Sequence, residues 1–455
     1  MNLLQMTTLL LPYSSLPFLI PFILLFRLSI ALSPLNGFNS ISDLNSEMEN
    51  HFARENSLSP DQFQSRLPTI NELNAIRKLV SLLFMQKDLK VCSPSTITEL
   101  FPILNGTITL STFQGVYCVM HEPIPKGEKD LFPRTFGYIV IRLPSNDGID
   151  IHHSAAHFES DGEVTKQCAT LFEMTKSRSM VNNGMSRYSV QGRPDSTCQP
   201  GNTVADAVHN INMAFHAMLQ VSLFTTDSLF CINVISSLGV FDSTKSARAN
   251  YYIQWHGMAQ TSCPVSDAFI SLGANGKNEI YQRANVADKL ARAITQSSNG
   301  KIVGRTPFDD SQCNLVAGTN VFGRIVHGIN EKEVCDTPAM FFNERFIHIE
   351  QKMDARSSFS QWTNALNSVF RPSQFHDELK LRRKGEQKWE WNESIHCSHN
   401  GDVIIDHTSS IDIPFHFLFL SSSLSHPSSF ILYSISDLIN LSSLSSYGRS
   451  SFDIV

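Results

Sequence analysis

Hydrophobic positions in the middle of the chain follow two alternating spacings. Between residues 71 and 87, hydrophobic residues recur every three or four positions, as in a helix that buries one face: Leu73, Ile76, Leu79, Val80 and Leu83. Residues 138–143 instead form a short run rich in β-forming residues, which is typical of a strand. The same patterns predict helices over 163–176, 203–224 and 286–295, and strands over 230–236, 251–255, 267–272 and 345–350. Strands and helices in alternation predict an α/β fold, with a sheet that carries helices on both faces.

The two ends of the chain depart from this alternation. Residues 9–32 are mostly apolar with Arg27 as their one charge, and the small residues Ser29 and Ala31 precede Leu32. This pattern predicts a secretory signal peptide over residues 1–32 and a secreted, extracellular protein. An uncleaved signal anchor in the membrane is the alternative, because the apolar stretch is long enough to cross a bilayer.

The remaining chain divides into three segments by composition. Residues 33–88 are read as an N-terminal extension with a helix, and residues 89–371 as an α/β hydrolase-like domain. Residues 372–455 are expected to stay outside the core, since residues 401–455 are rich in serine and contain Arg449 as their one basic residue. They are either a disordered tail or an artefact of the gene model.

Charge and composition narrow the classes of partner. The chain has 455 residues, of which 42% are hydrophobic and 17% charged, and a net charge of −6. This composition excludes a wholly disordered protein. The acidic balance argues against a nucleic-acid or anionic-membrane surface, either of which needs an excess of Lys and Arg. We therefore expect a small-molecule or peptide-like substrate, and no stable membrane association once the signal is removed.

Cysteines and glycosylation motifs fit an oxidising compartment. Eight of the nine cysteines lie in the body of the chain and Cys397 lies in the tail, without the paired spacing of a zinc knuckle. Disulfides among the body cysteines are therefore expected, and Cys92 with Cys118 is the first predicted pair. Motifs for N-glycosylation begin at Asn105, Asn392 and Asn440.

Polar residues just beyond the strands are the first candidates for chemistry, because ligands of α/β folds bind at the carboxyl ends of the strands. His157 and Asp161 lie four residues apart in a loop before the helix over 163–176. Imidazole and carboxylate are typical ligands of a hydrolytic zinc ion. His153 and Glu159 are alternative ligands nearby. The other reading makes Asp161 a helix N-cap and the histidines solvated loop residues.

Two later strands carry further candidates. His256 directly follows the strand over 251–255, and Gly257 then allows a sharp turn. This position suits His256 as a third ligand, and the alternative is an ordinary core histidine. His348 and Glu350 share one face of the strand over 345–350. Glu350 there is suited to act as a general base, and the alternative is an edge strand with a solvated polar face.

Two residues have weaker support. Arg187 follows a strand-like segment over 179–181 and is a candidate to bind a substrate carboxylate or an oxyanion, or else is an ordinary surface arginine. His209 lies away from the apolar stripe of the helix predicted over 203–224, so a functional role requires that the start of this helix border the site. The sequence contains no serine-esterase elbow, phosphate-binding glycine loop or H-E-x-x-H helix.

In their order, these motifs resemble those of the N-formylglutamate amidohydrolase and poly-γ-glutamate hydrolase group of zinc hydrolases. Similar motifs occur in uncharacterised secreted fungal proteins that group near it. The resemblance spans residues 151–351 and rests on short motifs: a His-x-x-x-Asp loop, a Ser-Arg pair, a helix with a histidine, a strand that ends His-Gly-Met, and a His-x-Glu strand. It implies a carboxypeptidase-like fold of three layers, with a mixed sheet between helices and one zinc ion at the strand ends.

The resemblance also implies roles for individual residues. His157, Asp161 and His256 would bind the zinc ion, Glu350 would activate a water molecule, and Arg187 would bind an acidic or γ-linked amide substrate. The chain lacks the proline or glycine usual around the first histidine and the Asn-Arg that often follows the glutamate. These departures keep two alternatives open: a non-catalytic secreted binding or surface protein on a degenerate hydrolase scaffold, and a metal-independent hydrolase that uses Glu350 with a histidine.

Overall fold

The computed structural model describes residues 35–144, 148–192, 198, 206–221 and 251–371, and two strands within 393–407. The predicted signal peptide, the strand predicted over 230–236, and most of the segment from residue 372 onward lie outside the described residues.

Helices at the start of the described chain begin at side chains that cap them. Ser59 and Thr69 each accept a hydrogen bond from the third helical residue, and that residue reaches back to the capping backbone. The helix predicted over 71–87 is confirmed, and two others precede it in the segment read as an extension. The helices here are α1 (Ile41–Asn50), α2 (Pro60–Arg66), α3 (Ile70–Met85) and α4 (Pro94–Leu100).

Nine of the described strands form one mixed sheet, in the order β1-β2-β3-β5-β4-β6-β9-β7-β8. The central four, β5, β4, β6 and β9, run parallel to one another, whereas β1, β2, β3 and β5 pair antiparallel in turn. The strands predicted over 138–143, 251–255, 267–272 and 345–350 are confirmed. The strands are β1 (Thr109–Phe113), β2 (Tyr117–His121), β3 (Tyr138–Arg142), β4 (Ile149–Ala155), β5 (Ser177–Asn182), β6 (Tyr251–Gly257), β7 (Ala268–Ser271), β8 (Gly304–Arg305) and β9 (Phe346–Gln351).

Both faces of this sheet are covered by helices, which confirms the predicted α/β fold. Successive residues of a strand point to opposite faces, so Trp255 packs in one hydrophobic cluster and Tyr252 in another. The first cluster includes α1, and the second includes α3 and the helix over Ala214–Val221. The remaining helices are α5 (Val164–Thr175), α6 (Ala214–Val221), α7 (Val286–Ser297), α8 (Val321–Val326), α9 (Met353–Arg356) and α10 (Phe359–Phe370).

The helices predicted over 163–176 and 286–295 are confirmed, but a single helix over 203–224 is wrong. A 3₁₀ turn at Ala207–His209 is followed by a break, and α6 begins only at Ala214. Asp206 accepts a hydrogen bond from the backbone of Val208, and Asn210 accepts one from Asn212. Such local side-chain bonds compete with helical hydrogen bonds, which explains the interruption.

Three disulfides join described cysteines, which is consistent with an extracellular protein: Cys92–Cys118, Cys198–Cys335 and Cys263–Cys313. The predicted Cys92–Cys118 pair is confirmed. Cys168 is a free thiol buried in α5, and Cys231 lies outside the described residues. Across the described part of the chain, no helix combines the length and the apolar character needed to cross a membrane.

A separate two-stranded sheet, β10 (Glu393–Cys397) with β11 (Val403–His407), lies in the segment that the sequence places outside the core.

Candidate metal centre

The four parallel strands bring the predicted site residues to one edge of the sheet. His157 follows β4 by two residues, and Arg187 follows β5 by five. His256 and Glu350 are the penultimate residues of β6 and β9, and they lie opposite each other in the register of these strands. Parallel strands end at the same edge, and this edge is where α/β folds bind ligands.

Three of these side chains converge on a small triangle of ligand atoms. Nδ1 of His157 lies 2.9 Å from Oδ2 of Asp161, and Nδ1 of His256 lies 3.0 Å from the same oxygen. The two Nδ1 atoms lie 3.0 Å apart. Ligands on a tetrahedral zinc ion, with bonds of about 2.0–2.1 Å, are separated by roughly 3.3 Å. A small expansion of the triangle would therefore accommodate zinc.

The other nitrogen of each imidazole is held by an acceptor. Nε2 of His157 lies 3.0 Å from Oδ2 of Asp206, and Nε2 of His256 lies 3.0 Å from Oε1 of Gln254. A proton on Nε2 leaves the lone pair of Nδ1 free, so both rings turn a ligand atom toward Asp161. Histidine ligands of metals are usually oriented by such an outer acceptor. The arrangement of donors therefore fits a metal ion.

Asp161 does not cap the helix that follows it, so the N-cap reading of this residue is wrong. Glu163 occupies the N-cap position of α5 and makes no capping side-chain bond. Oδ2 of Asp161 instead accepts a hydrogen bond from the backbone of Gly257 at 3.3 Å, and its carbonyl accepts one from Arg356. A Cβ atom at residue 257 would collide with this carbonyl, so only glycine permits the close approach of the two segments.

The charged state of the two buried aspartates depends on the histidines that contact them. Burial alone would raise the pKa of Asp161 and of Asp206, but the neighbouring histidines, His157 first among them, together outweigh burial and hold both pKa values well below their ordinary range. Burial lowers the pKa of His256 to about 4, so that ring is neutral near pH 7. Burial also opposes protonation of His157, but the two carboxylates raise its pKa to about 9. A metal ion would replace this proton.

Glu350 lies beside the triangle with His348 on the same strand face. Burial, together with the charge of Asp161, raises the pKa of Glu350 to about 7. Nε2 of His348 lies 3.7 Å from Oε1 of Glu350, and its ring centre lies 4.5 Å from that of His256. β9 lies between β6 and β7 and is buried except for the partly exposed Glu350, so the reading as a solvated edge strand is wrong.

Arg187 reaches into the site. Its Nη2 lies 2.7 Å from Nδ1 of His157 and 3.2 Å from Oδ2 of Asp206, and its Nη1 lies 3.8 Å from Oδ1 of Asp161. The side chain is 28% exposed, so the guanidinium both contacts the buried carboxylates and borders solvent. Arg187 is therefore not an ordinary surface arginine.

Asp206 is the site residue that sequence reasoning missed. It contacts His157, Arg187 and also His209, whose Nδ1 lies 3.2 Å from Oδ2 of Asp206. His209 thus borders the site through Asp206, although the long helix expected to carry it does not form. An aspartate just before a turn-forming segment is a weak indication, and nothing in its spacing relates it to His157.

The alternative ligands lie elsewhere. His153 points to the opposite face of the sheet, where its Nε2 lies 2.8 Å from Oγ of Ser177 and its Nδ1 accepts a hydrogen bond from Trp255. Glu159 forms an ion pair with Arg54 near the surface. Neither side chain lies with the three ligand atoms described above.

Comparison with models of known protein families gives no match, and a search of curated proteins gives none either. The resemblance to the N-formylglutamate amidohydrolase group stays a prediction. The function proposed below therefore depends on the geometry of the site.

Proposed function

We propose that the protein is a secreted, zinc-dependent hydrolase that cleaves an amide bond in a peptide-like or acidic amino-acid substrate. The convergence of Nδ1 of His157, Nδ1 of His256 and Oδ2 of Asp161 within 3.0 Å of one another is the observation that carries this proposal. A zinc ion bound there would polarise a substrate carbonyl and lower the pKa of a bound water molecule. The mixed sheet with helices on both faces supports the carboxypeptidase-like layering that the resemblance implies.

Glu350 acts as the general base in this proposal. It takes the proton of the attacking water molecule and passes it to the nitrogen that leaves when the amide bond breaks. A pKa of about 7 suits this exchange, because the group both accepts and returns a proton near neutral pH. Because Glu350 lies directly opposite His256 in the register of β6 and β9, it lies beside the ligand triangle.

Arg187 binds the substrate. Its guanidinium carries five N–H donors, and the contact with Asp206 involves only the Nη2 end. The partly exposed remainder can bind a substrate carboxylate or the oxyanion that develops on the carbonyl oxygen. The preference for an acidic or γ-linked substrate is taken from the resemblance.

A second candidate function is amide hydrolysis without metal, by Glu350 and His348. The approach of these side chains to 3.7 Å favours it, as does the position of Arg187 against Nδ1 of His157. A non-catalytic binding protein on the same scaffold is the third alternative. Metal content and activity measured together separate the three.

The test uses purified full-length protein secreted from a eukaryotic host, with N-acyl glutamates and γ-glutamyl peptides as substrates. We expect hydrolysis that a chelator abolishes and added zinc restores, and that Glu350→Gln abolishes without loss of zinc. Hydrolysis that persists in metal-depleted protein would contradict the zinc proposal and support the metal-independent hydrolase. Folded protein with neither zinc nor activity would support the binding protein.

A further inference from the structure

The turn at residues 104–107 joins a short 3₁₀ helix (Pro102–Leu104) to β1, the strand at one edge of the described sheet. Asn105 has backbone angles of φ −61° and ψ 131°, and Gly106 follows with φ +78°. The backbone N–H of Thr107 donates to the carbonyl of Leu104 at 3.0 Å. These features define a type II β-turn with glycine at the position that needs a positive φ, and the side chain of Asn105 lies at an exposed corner.

This turn is also an acceptor motif for N-linked oligosaccharide, Asn105-Gly106-Thr107. A motif in the sequence is common by chance, but this one is exposed at Asn105 and Gly106, and a Cβ atom built on Gly106 would meet nothing within 4 Å. The space beside the asparagine therefore admits a bulky group.

A second observation is the apolar surface next to the turn. Leu100, at the end of α4, is 60% exposed, and Ile103 is 47% exposed two residues before the asparagine. Single exposed apolar residues are ordinary, but two large ones beside an acceptor asparagine form a surface that a covalently attached sugar would cover. The Cys92–Cys118 disulfide encloses this whole segment and requires the oxidising compartment in which N-glycosylation occurs.

We propose that Asn105 carries an N-linked oligosaccharide whose inner sugars cover Leu100 and Ile103 at the outer edge of the sheet. The amide nitrogen of Asn105 loses a proton and forms a bond to C1 of the first sugar, while the bond from that carbon to the diphosphate of a lipid-linked oligosaccharide donor breaks and the lipid diphosphate leaves with the proton. The bulk of the sugar beside β1 also hinders edge-to-edge association of chains. This modification does not depend on the proposed hydrolase activity.

The first test is peptide mass spectrometry of the full chain secreted from a eukaryotic host, before and after enzymatic removal of N-linked sugar. We expect the peptide with Asn105 to carry sugar in wild type and in Thr107→Ser, which keeps the motif, but not in Asn105→Gln or Thr107→Ala. Secreted wild-type protein with an unmodified Asn105 peptide would overturn the proposal.

The second test addresses the covered surface. Enzymatic removal of the sugar from folded protein is expected to increase self-association, measured by light scattering, and Leu100→Ser with Ile103→Ser is expected to suppress that increase. The double variant Ile70→Ser with Met85→Ser, which changes exposed apolar residues on α3, serves as the control and is expected not to suppress it. Association that is unchanged by removal of the sugar would refute the covering role.

Discussion

Arg187 and a metal ion compete for the same space, so we predict that removal of the Arg187 side-chain charge strengthens zinc binding. Nη2 of Arg187 lies 2.7 Å from Nδ1 of His157, the atom assigned to the metal, and 3.2 Å from Oδ2 of Asp206. A nitrogen with one lone pair binds one partner, so the guanidinium must withdraw when a metal binds. Arg187→Met removes the charge and keeps most of the aliphatic stem.

The size of the effect follows from these contacts. The hydrogen bond from Arg187 to the charged Asp206 contributes about 1.5–3 kcal/mol, which the wild-type protein loses when Arg187 withdraws. If Arg187 stays, each unit of positive charge on a metal ion about 4 Å away repels the guanidinium by about 4 kcal/mol at an effective dielectric constant of about 20. The variant avoids either cost. At about 1.4 kcal/mol per tenfold change, we expect zinc to bind Arg187→Met about 10–100-fold more tightly than wild type.

Zinc affinity is measured by titration against a competing chelator, and hydrolysis is measured on the same samples. Tighter zinc binding should accompany weaker hydrolysis, because Arg187 also binds substrate. Arg54→Met is the matched control. Nη1 of Arg54 lies 3.1 Å from Oε1 of Glu159, which belongs to the loop of His157 and Asp161 but lies near the surface, so this variant should leave zinc affinity unchanged. Equal or weaker zinc binding by Arg187→Met would refute the competition.

Three further predictions test individual side chains. Glu350→Gln should keep its zinc but lose about 10²–10⁴-fold in kcat, measured by steady-state kinetics, because the general base is removed; an unchanged kcat would exclude that role. Asp206→Asn should weaken zinc binding about 10–100-fold in the chelator titration, because His157 loses the acceptor that orients it, whereas the surface variant Asp288→Asn should not. Burial raises the pKa of Glu122 from 4.5 to about 7, so between these two pH values the folded protein holds a proton there that the unfolded chain has released. The free energy of unfolding of the metal-free protein should therefore fall as the pH rises from 4.5 to about 7. Glu122→Gln should make that fall shallower in denaturant titrations, and an unaltered slope would contradict the assignment.

The strands and most helices were predictable because their signals are local. The apolar run of β3 and the helical spacing of α3 each depend on a few neighbouring residues. Strand order is different, because it depends on which strands pair across the sheet. The sequence predicted strands that end near His256 and Glu350, but not that β9 lies directly beside β6.

The site residues also differ in whether their neighbours in the sequence predict them. His157, Asp161 and His256 are candidates because each follows or ends a predicted strand, and the structure brings them together; their role as metal ligands stays a prediction. Asp206 has no such signal, because nothing in the spacing of the sequence relates it to His157, which it contacts only in the folded chain. The apolar spacing predicts a helix across this region, but local hydrogen bonds of Asp206 and Asn210 replace it with the turn that places Asp206.

The most direct test of the metal centre is the zinc content of the purified, folded protein. We expect about one zinc ion per chain in wild type, bound through deprotonated ligand atoms and therefore lost at acidic pH. His256→Ala should lose the metal, whereas His327→Ala should keep it, because Nε2 of His327 bonds the carbonyl of Leu272 away from the ligand triangle. Folded wild-type protein that contains no zinc and takes none up would contradict the account.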